Sequence, residues 1–271
     1  MSYILTLNEE QIAIEWEKYK GYTVRPLPST IAYYAGIINN QAHNSTFFIY
    51  GGTPEIRSQF QQLSHHVVIA DKSPVIVRAM GRLTRDAMPI AHNEHYVELD
   101  WLYTSLLQSK FDLLIGDDAI NMVSWDYFDL FLKNAATILN PNGLFICHLL
   151  VQPDHSLIDK SFSDVMNEYK NGIIKNHYDL ASKLNFICYD EHDYSMGWQR
   201  TINIIGKKQL QLFLPDFDFI TLFGLCNSKF YCPPQLEFER IAQHYFSIEE
   251  IFYPHEYDYC LFEPVYVLKK L

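Results

Sequence analysis

The sequence predicts an α/β fold: a doubly wound, mostly parallel seven-stranded sheet with an N-terminal helical arm and an inserted cap. Three observations lead there. Apolar runs short enough for strands stand at Phe47 to Tyr50, Val67 to Ala70, Tyr96 to Leu99, Leu113 to Ile115 and Leu144 to Val151. Helix-length segments separate them, and such alternation is the mark of a parallel sheet covered on both faces. Late in the chain, Ile248 to Tyr253 and Leu261 to Leu268 offer two more strands, joined by a loop containing Pro254, His255 and Glu256, which suits an antiparallel pair.

Residues 1–46 form the arm, with a helix-like pattern around Ile12 to Tyr19 and the aromatic residues Trp16, Tyr19, Tyr22, Tyr33 and Tyr34. It is expected to cover a pocket mouth. Residues 47–151 form a ligand-binding α/β core. After its first strand, Thr53 is placed to cap a helix, Pro54 suits the first helical position, and Glu55 sits near the positive end of the helix dipole. Ile56, Phe60 and Leu63 then share one face. Ser73-Pro74 starts the next helix, with Val75, Val77, Ala79, Met80 and Leu83 as its apolar surface.

A third helix begins after Ser124, turns Phe128, Phe131, Leu132, Ala135, Ile138 and Leu139 inward, and ends at Asn140-Pro141-Asn142-Gly143. Over residues 152–232 the pattern changes. Ser161 to Lys183 reads as helical and polar, and Tyr189 to Trp198 as irregular and aromatic, together an inserted cap or lid. Residues 233–271 return to the core with a helix from Pro233 to about Tyr245 and the two closing strands.

Composition narrows the function. A chain of 271 residues that is 48% hydrophobic can fill a full core. Its 21 basic and 32 acidic residues give a formal charge of −11, which repels a phosphate backbone, so no nucleic-acid partner is expected. No window approaches the roughly 18 uncharged apolar residues of a membrane span, and Met1 to Leu5 lacks the basic start of a secretory leader. A soluble, cytoplasmic protein is expected. The five cysteines, Cys147, Cys188, Cys226, Cys232 and Cys260, are scattered among apolar neighbours and read as reduced thiols. His65-His66, and His192 between Glu191 and Asp193, lack ligand spacing, so no metal is expected.

In an open parallel sheet, ligands bind beyond the carboxyl ends of the strands. Four such ends carry chemistry here. Gly51-Gly52-Thr53, after Tyr50, lets backbone approach a ligand closely. Asp71 ends the second strand twenty positions after Gly51, the spacing that puts a carboxylate beside a glycine turn to accept from ribose hydroxyls. Asp100-Trp101 ends the third strand with an acid suited to an adenine amino group and an indole suited to lie against a ring. Asp117-Asp118 ends the fourth. Alternate side chains point to opposite faces, so at most one of these two faces a ligand.

These four strand ends resemble the class I S-adenosylmethionine-dependent methyltransferases over roughly Phe47 to Val151 and Ile248 to Leu271. The resemblance implies a Rossmann-like core with S-adenosylmethionine as cofactor. Its amino acid part then lies on Tyr50, Gly51, Gly52 and Thr53, its ribose on Asp71 with Lys72, its adenine at Asp100 and Trp101, and its methyl group toward Asp117 or Asp118. Glu263 to Leu268 is similar to the family's final antiparallel strand. The glycine turn is a variant. The usual motif has an acid two positions before its first glycine and glycines at alternate positions, where this chain has Ile49, Gly51, Thr53 and Glu55. Glu55, or a residue between Tyr19 and Arg25, is then the candidate to hold the cofactor's ammonium group.

The expected reaction is methyl transfer to an oxygen, nitrogen or carbon of a small acceptor. Because the cofactor supplies the electrophile, no catalytic side chain need be diagnostic. Asp118 and His148 are the geometric candidates for a base, and Tyr189, Tyr194, Met196 and Trp198 for a substrate wall or the cap's own core. Gly116-Asp117-Asp118-Ala119 stands where methyltransferases of nucleobase amino groups carry Asn/Asp-Pro-Pro-Tyr/Phe. Two alternatives remain: a non-catalytic binding module on this fold, and an NAD(P)-dependent oxidoreductase. Ile56 argues against the latter, standing where the third glycine of G-x-G-x-x-G would be.

Overall fold

A computed structural model of the chain describes residues 8–18, 25–42, 44–60, 66–84, 94–215, 217–218 and 228–271. Its strands are β1 (Thr46–Tyr50), β2 (His66–Asp71), β3 (Glu94–Glu98), β4 (Phe111–Asp117), β5 (Leu139–His148), β6 (Ser195–Met196), β7 (Phe230–Tyr231), β8 (Phe246–Phe252) and β9 (Val265–Lys270). Seven of them form one sheet in the order β3-β2-β1-β4-β5-β9-β8, while β6 and β7 pair separately. β1 to β5 run parallel, and β9 lies antiparallel to both its neighbours. This is the Rossmann-like sheet of the methyltransferase fold.

Strand alternation divides the core. Phe47, Ile49, Val67, Ile69, Leu113 and Ile115 face α2 (Pro28–Asn39), α3 (Pro54–Ser58) and α4 (Pro74–Leu83). Phe48, Tyr50, Leu114, Phe145, Tyr266 and Leu268 face α5 (Phe128–Ile138) and the later helix Gln235–Ala242. α1 (Glu9–Lys18) packs outside α4 through Ile12 against Ala79 and Met80. The described part of the arm therefore thickens one helical layer. Tyr19 and Tyr22 lie outside the described residues.

Between β5 and the last helix the chain forms α6 (His155–Ile158), α7 (Phe162–Lys170), α8 (His177–Phe186), α9 (Trp198–Ile205) and α10 (Lys207–Phe213), with Gln235–Ala242 as α11. Val165, Leu180, Leu184, Trp198, Leu210 and Phe217 give α7 to α10 a core of their own.

Several local expectations are corrected. Ser161 to Lys183 is helical in two pieces: α7 ends before Gly172, which takes the left-handed φ of 71°, and α8 restarts on Asn176, whose side chain accepts from Tyr178 and Asp179 N–H. Thr53 precedes α3 but its hydroxyl makes no capping bond, and α3 is only five residues long. Leu63 lies outside the described residues. Ser124 likewise makes no cap; a 3-10 turn, Trp125–Tyr127, precedes α5. Ser73 does cap α4, accepting from Ile76 N–H at 3.4 Å.

Leu139 belongs to β5, and Asn140 to Gly143 bulges within that strand, because Phe111 pairs with Leu139 but Leu113 with Leu144. The closing strands are shifted: Leu261 falls in the 3-10 turn Asp258–Phe262, ahead of β9. Cys147, Cys188, Cys232 and Cys260 are buried free thiols, and Cys226 lies outside the described residues. Among the described residues, no helix is long and apolar enough to cross a membrane.

Candidate functional site

The sheet's strand order reverses between β1 and β4, where a crevice opens at the carboxyl edge. Register aligns the residues there. Tyr50 pairs with Ala70 and Gly116, so the residues that follow, Gly51, Asp71 and Asp117, form a row, extended by the pairs Asp71 with Glu98 and Asp117 with His148.

Tyr50 contributes only backbone to this edge, since its ring packs in the core against Phe131, Phe145 and the edge of Trp101. Gly51 has φ 88°, which disfavours any side chain, and a Cβ there would point 3.6 Å from the Trp101 ring and 4.0 Å from Asp71 Oδ2. A Cβ on Gly52 would meet the Val77 backbone at 3.4 Å, so the turn is pressed onto α4.

Asp71 spends one oxygen on its own loop: Oδ1 accepts from Ser73 N–H at 2.7 Å. The other faces Gly51. Burial pushes this carboxyl up from its ordinary value, opposed by N–H groups of Ser73 and Lys72 and by the Lys72 charge. Asp100 accepts from Leu102 N–H at 3.0 Å and pairs with Lys72 at 2.8 Å. Burial acts to raise its pKa, but the Lys72 ammonium and Leu102 N–H together hold it low. The Trp101 indole N–H donates to Ala70 O at 2.8 Å, which pins the ring across the ends of β1 and β2.

Asp71, Lys72, Asp100 and Trp101 line one cleft of about 460 Å³ together with Leu102, Met122, Val123, Ser124 and Tyr127. Gly51 to Thr53 and Asp117-Asp118 lie outside its lining, with Trp101 standing against Gly51. The structure thus groups the second and third strand ends around one space and sets the first and fourth beside it.

Asp117 is engaged through one oxygen. Its Oδ1 accepts from Tyr34 O–H at 2.7 Å and lies 2.9 Å from His148 Nδ1. Asp118 has a left-handed φ of 53°, and its Oδ1 lies 3.5 Å from the same nitrogen, without a hydrogen bond of its own. Its side chain is 43% exposed and contributes to the lining of a second cavity. Burial raises its pKa to about 6, with His148 opposing and Asp117 assisting.

His148 is 3% exposed. Burial alone would discharge it, but Asp118, Asp117 and the more distant Glu263 hold its pKa up to about 10. While it is held protonated in this way, the imidazolium has no lone pair to accept a proton. Glu55, the candidate for an ammonium, is paired with Arg25 at 3.0 Å. Arg25 also lies over Trp16, 5.0 Å from the ring centroid.

Two residues here are invisible to motif reading. Glu263 is enclosed by protein, its carboxyl driven well above the ordinary range by burial. Asn121, fully buried, donates to Leu150 O at 2.8 Å and Tyr231 O at 2.7 Å and accepts from Leu150 N–H at 2.9 Å. It ties the loop after β4 to β5's continuation and to β7. Asn121→Ala would orphan all three backbone groups and is expected to cost about 2–4 kcal/mol. A urea titration checks this; a loss below about 0.5 kcal/mol would show the clamp to be incidental.

No protein-family model matches the sequence, and no curated protein matches it. Solved structures share the fold. The CcbJ methyltransferase of Streptomyces caelestis superposes with a TM-score of 0.62 at 11% identity, over 97% of this chain and 97% of that one. The N-methyltransferase NodS of Bradyrhizobium japonicum, in complex with S-adenosyl-L-homocysteine, gives 0.51 at 9%, over 97% and 99%. A Rhodobacter sphaeroides structure described as a candidate Zn-dependent alcohol dehydrogenase gives 0.60 at 12%, over 96% and 98%.

Proposed function

We propose that this chain is an S-adenosylmethionine-dependent methyltransferase acting on a small molecule. The observation that carries the reading is the cleft beside the Gly51 turn, which combines an acceptor oxygen on Asp71 with an aromatic and apolar enclosure. Adenosine fits it. The ribose hydroxyls would donate to Asp71, and the base would lie among Trp101, Leu102, Met122, Val123 and Tyr127. Asp100 serves the adenine amino group only by sharing an oxygen with Lys72, which is 70% exposed and free to swing aside.

The methionine end would then run over Gly51, Gly52 and Thr53. Arg25 is the nearby charge suited to its carboxylate, and Glu55 and Asp117 suit its ammonium. The cofactor supplies an electrophilic methyl group, and the protein aligns an acceptor and excludes water. Asp118, able to take up a proton near neutrality, is the base candidate that survives.

The dehydrogenase-like neighbour raises two other chemistries. Among the described residues, no three His, Cys, Asp or Glu side chains are placed to hold a metal ion. Ile56 is buried against the sheet, where a dinucleotide site needs a glycine.

Thermal unfolding with S-adenosylhomocysteine and with NADH separates the readings. A hundredfold excess over Kd adds about 2.7 kcal/mol, so the first ligand is expected to raise Tm by roughly 5–10 °C and the second to leave it unchanged. The reverse pattern would refute the proposal. Binding without turnover of any acceptor would favour a non-catalytic module.

A further inference from the structure

The second cavity, of about 70 Å³, lies between the carboxyl edge of the sheet and the cap. Phe186, Met196, Trp198 and Phe230 form its apolar wall, and Asp118 and Glu263 supply its acids. We propose that this cavity receives the amino end of a primary or secondary amine, held as its ammonium between Asp118 and Glu263, and that this amine is the methyl acceptor. The second half rests on the methyltransferase reading; the first stands without it.

The local charge is unbalanced. Among the described residues, Asp117 and Asp118 share one cation, His148, whose Nδ1 lies 2.9 Å from Asp117 and 3.5 Å from Asp118, while burial holds the third acid, Glu263, toward its neutral form. Among the described residues the Glu263 carboxyl has no hydrogen-bond or ion-pair partner, and Asp118 Oδ1 is buried without a hydrogen-bond partner. A buried carboxylate oxygen left in this way calls for a donor.

An ammonium meets the whole demand. It has no acceptor atom to repel the carboxylates, carries a charge opposite to theirs, and would stand among the aromatic side chains Phe186, Trp198 and Phe230. An anionic acceptor would meet two acids, and a neutral alcohol would leave the charge unbalanced. The chain's formal charge of −11 also draws cations toward it. The cavity's size suits the amino end of a molecule whose remainder projects beyond it.

The chemistry closes. The bound ammonium gives one proton to Asp118, freeing the nitrogen lone pair. The N–C bond forms as the methyl C–S bond breaks with its electron pair left on sulfur, and the product leaves as a methylated ammonium.

Cofactor-free protein tests the site by calorimetry with propylamine and 1-propanol, and with benzylamine and benzyl alcohol as a larger pair. In at least one pair the amine is expected to bind at least tenfold more tightly than the alcohol. Asp118→Asn and Glu263→Gln, both close in shape and relieving buried charge, are expected to bring that ratio near one. Equal binding of amine and alcohol in the native protein, absence of amine binding, or a ratio untouched by Glu263→Gln would each overturn the inference. Titrating S-adenosylhomocysteine into the same samples keeps the two readings apart. Amine selectivity without cofactor binding removes only the acceptor role, whereas cofactor binding without amine selectivity removes only this inference.

Discussion

Asp71→Ala is expected to weaken S-adenosylhomocysteine binding roughly a hundredfold. Two ribose hydroxyls donating to one carboxylate make charge-assisted bonds, and losing them costs about 3 kcal/mol in total. The carboxylate is prepared for this role: Ser73 N–H holds Oδ1 at 2.7 Å and fixes the group, leaving Oδ2 toward Gly51. The same substitution removes one loop hydrogen bond, so folding stability is expected to fall by only about 1 kcal/mol. Calorimetry on the variant, with a urea titration as control, separates the two effects. Unchanged affinity would refute the ribose assignment and leave the cofactor reading to the other strand ends.

His148→Gln is expected to destabilise the fold by about 3–5 kcal/mol at neutral pH. It keeps a polar side chain near Asp117 but removes the cation paired with Asp117 and Asp118, and breaking a buried pair from one side carries a cost of about that size. The pH dependence fixes the cause. The imidazole is held up to about 10, above the ordinary value of about 6.5. Its contribution is therefore complete below about pH 6.5 and is lost as pH rises through about 10. Urea titrations at pH 6, 8 and 9.5 should show the gap between native and variant narrowing. A gap that stays constant would mean that His148 acts by packing alone.

Much of this arrangement is legible in the sequence because parallel strands announce themselves as short apolar runs. The runs before Gly51, Asp71 and Asp117 end where β1, β2 and β4 end, and the strand order then brings those ends into one row. Legibility fails where partners are distant. Asn121 looks like an ordinary loop residue, yet it bonds to Tyr231, 110 positions away. Glu263 reads as part of a closing strand, and only the packing of the 3-10 turn before β9 turns it toward Asp118 and His148.

Trp101 shows a subtler limit. Its position after the third strand marks it as a ring near a ligand, but the hydrogen bond to Ala70 that sets its plane depends on the β2–β3 register. The break between α7 and α8 is a different kind of miss. Its signals, Asn171-Gly172 and Asn176, are present in the sequence, but a polar helical pattern on both sides masks them.

The most direct test of the central claim is a crystal structure of the protein with S-adenosylhomocysteine. The ribose hydroxyls are expected within hydrogen-bond distance of Asp71, the adenine between Trp101 and the segment Met122 to Tyr127, and the sulfur directed toward Asp118. A ligand bound elsewhere, or a ribose turned away from Asp71 with the cleft empty, would contradict it.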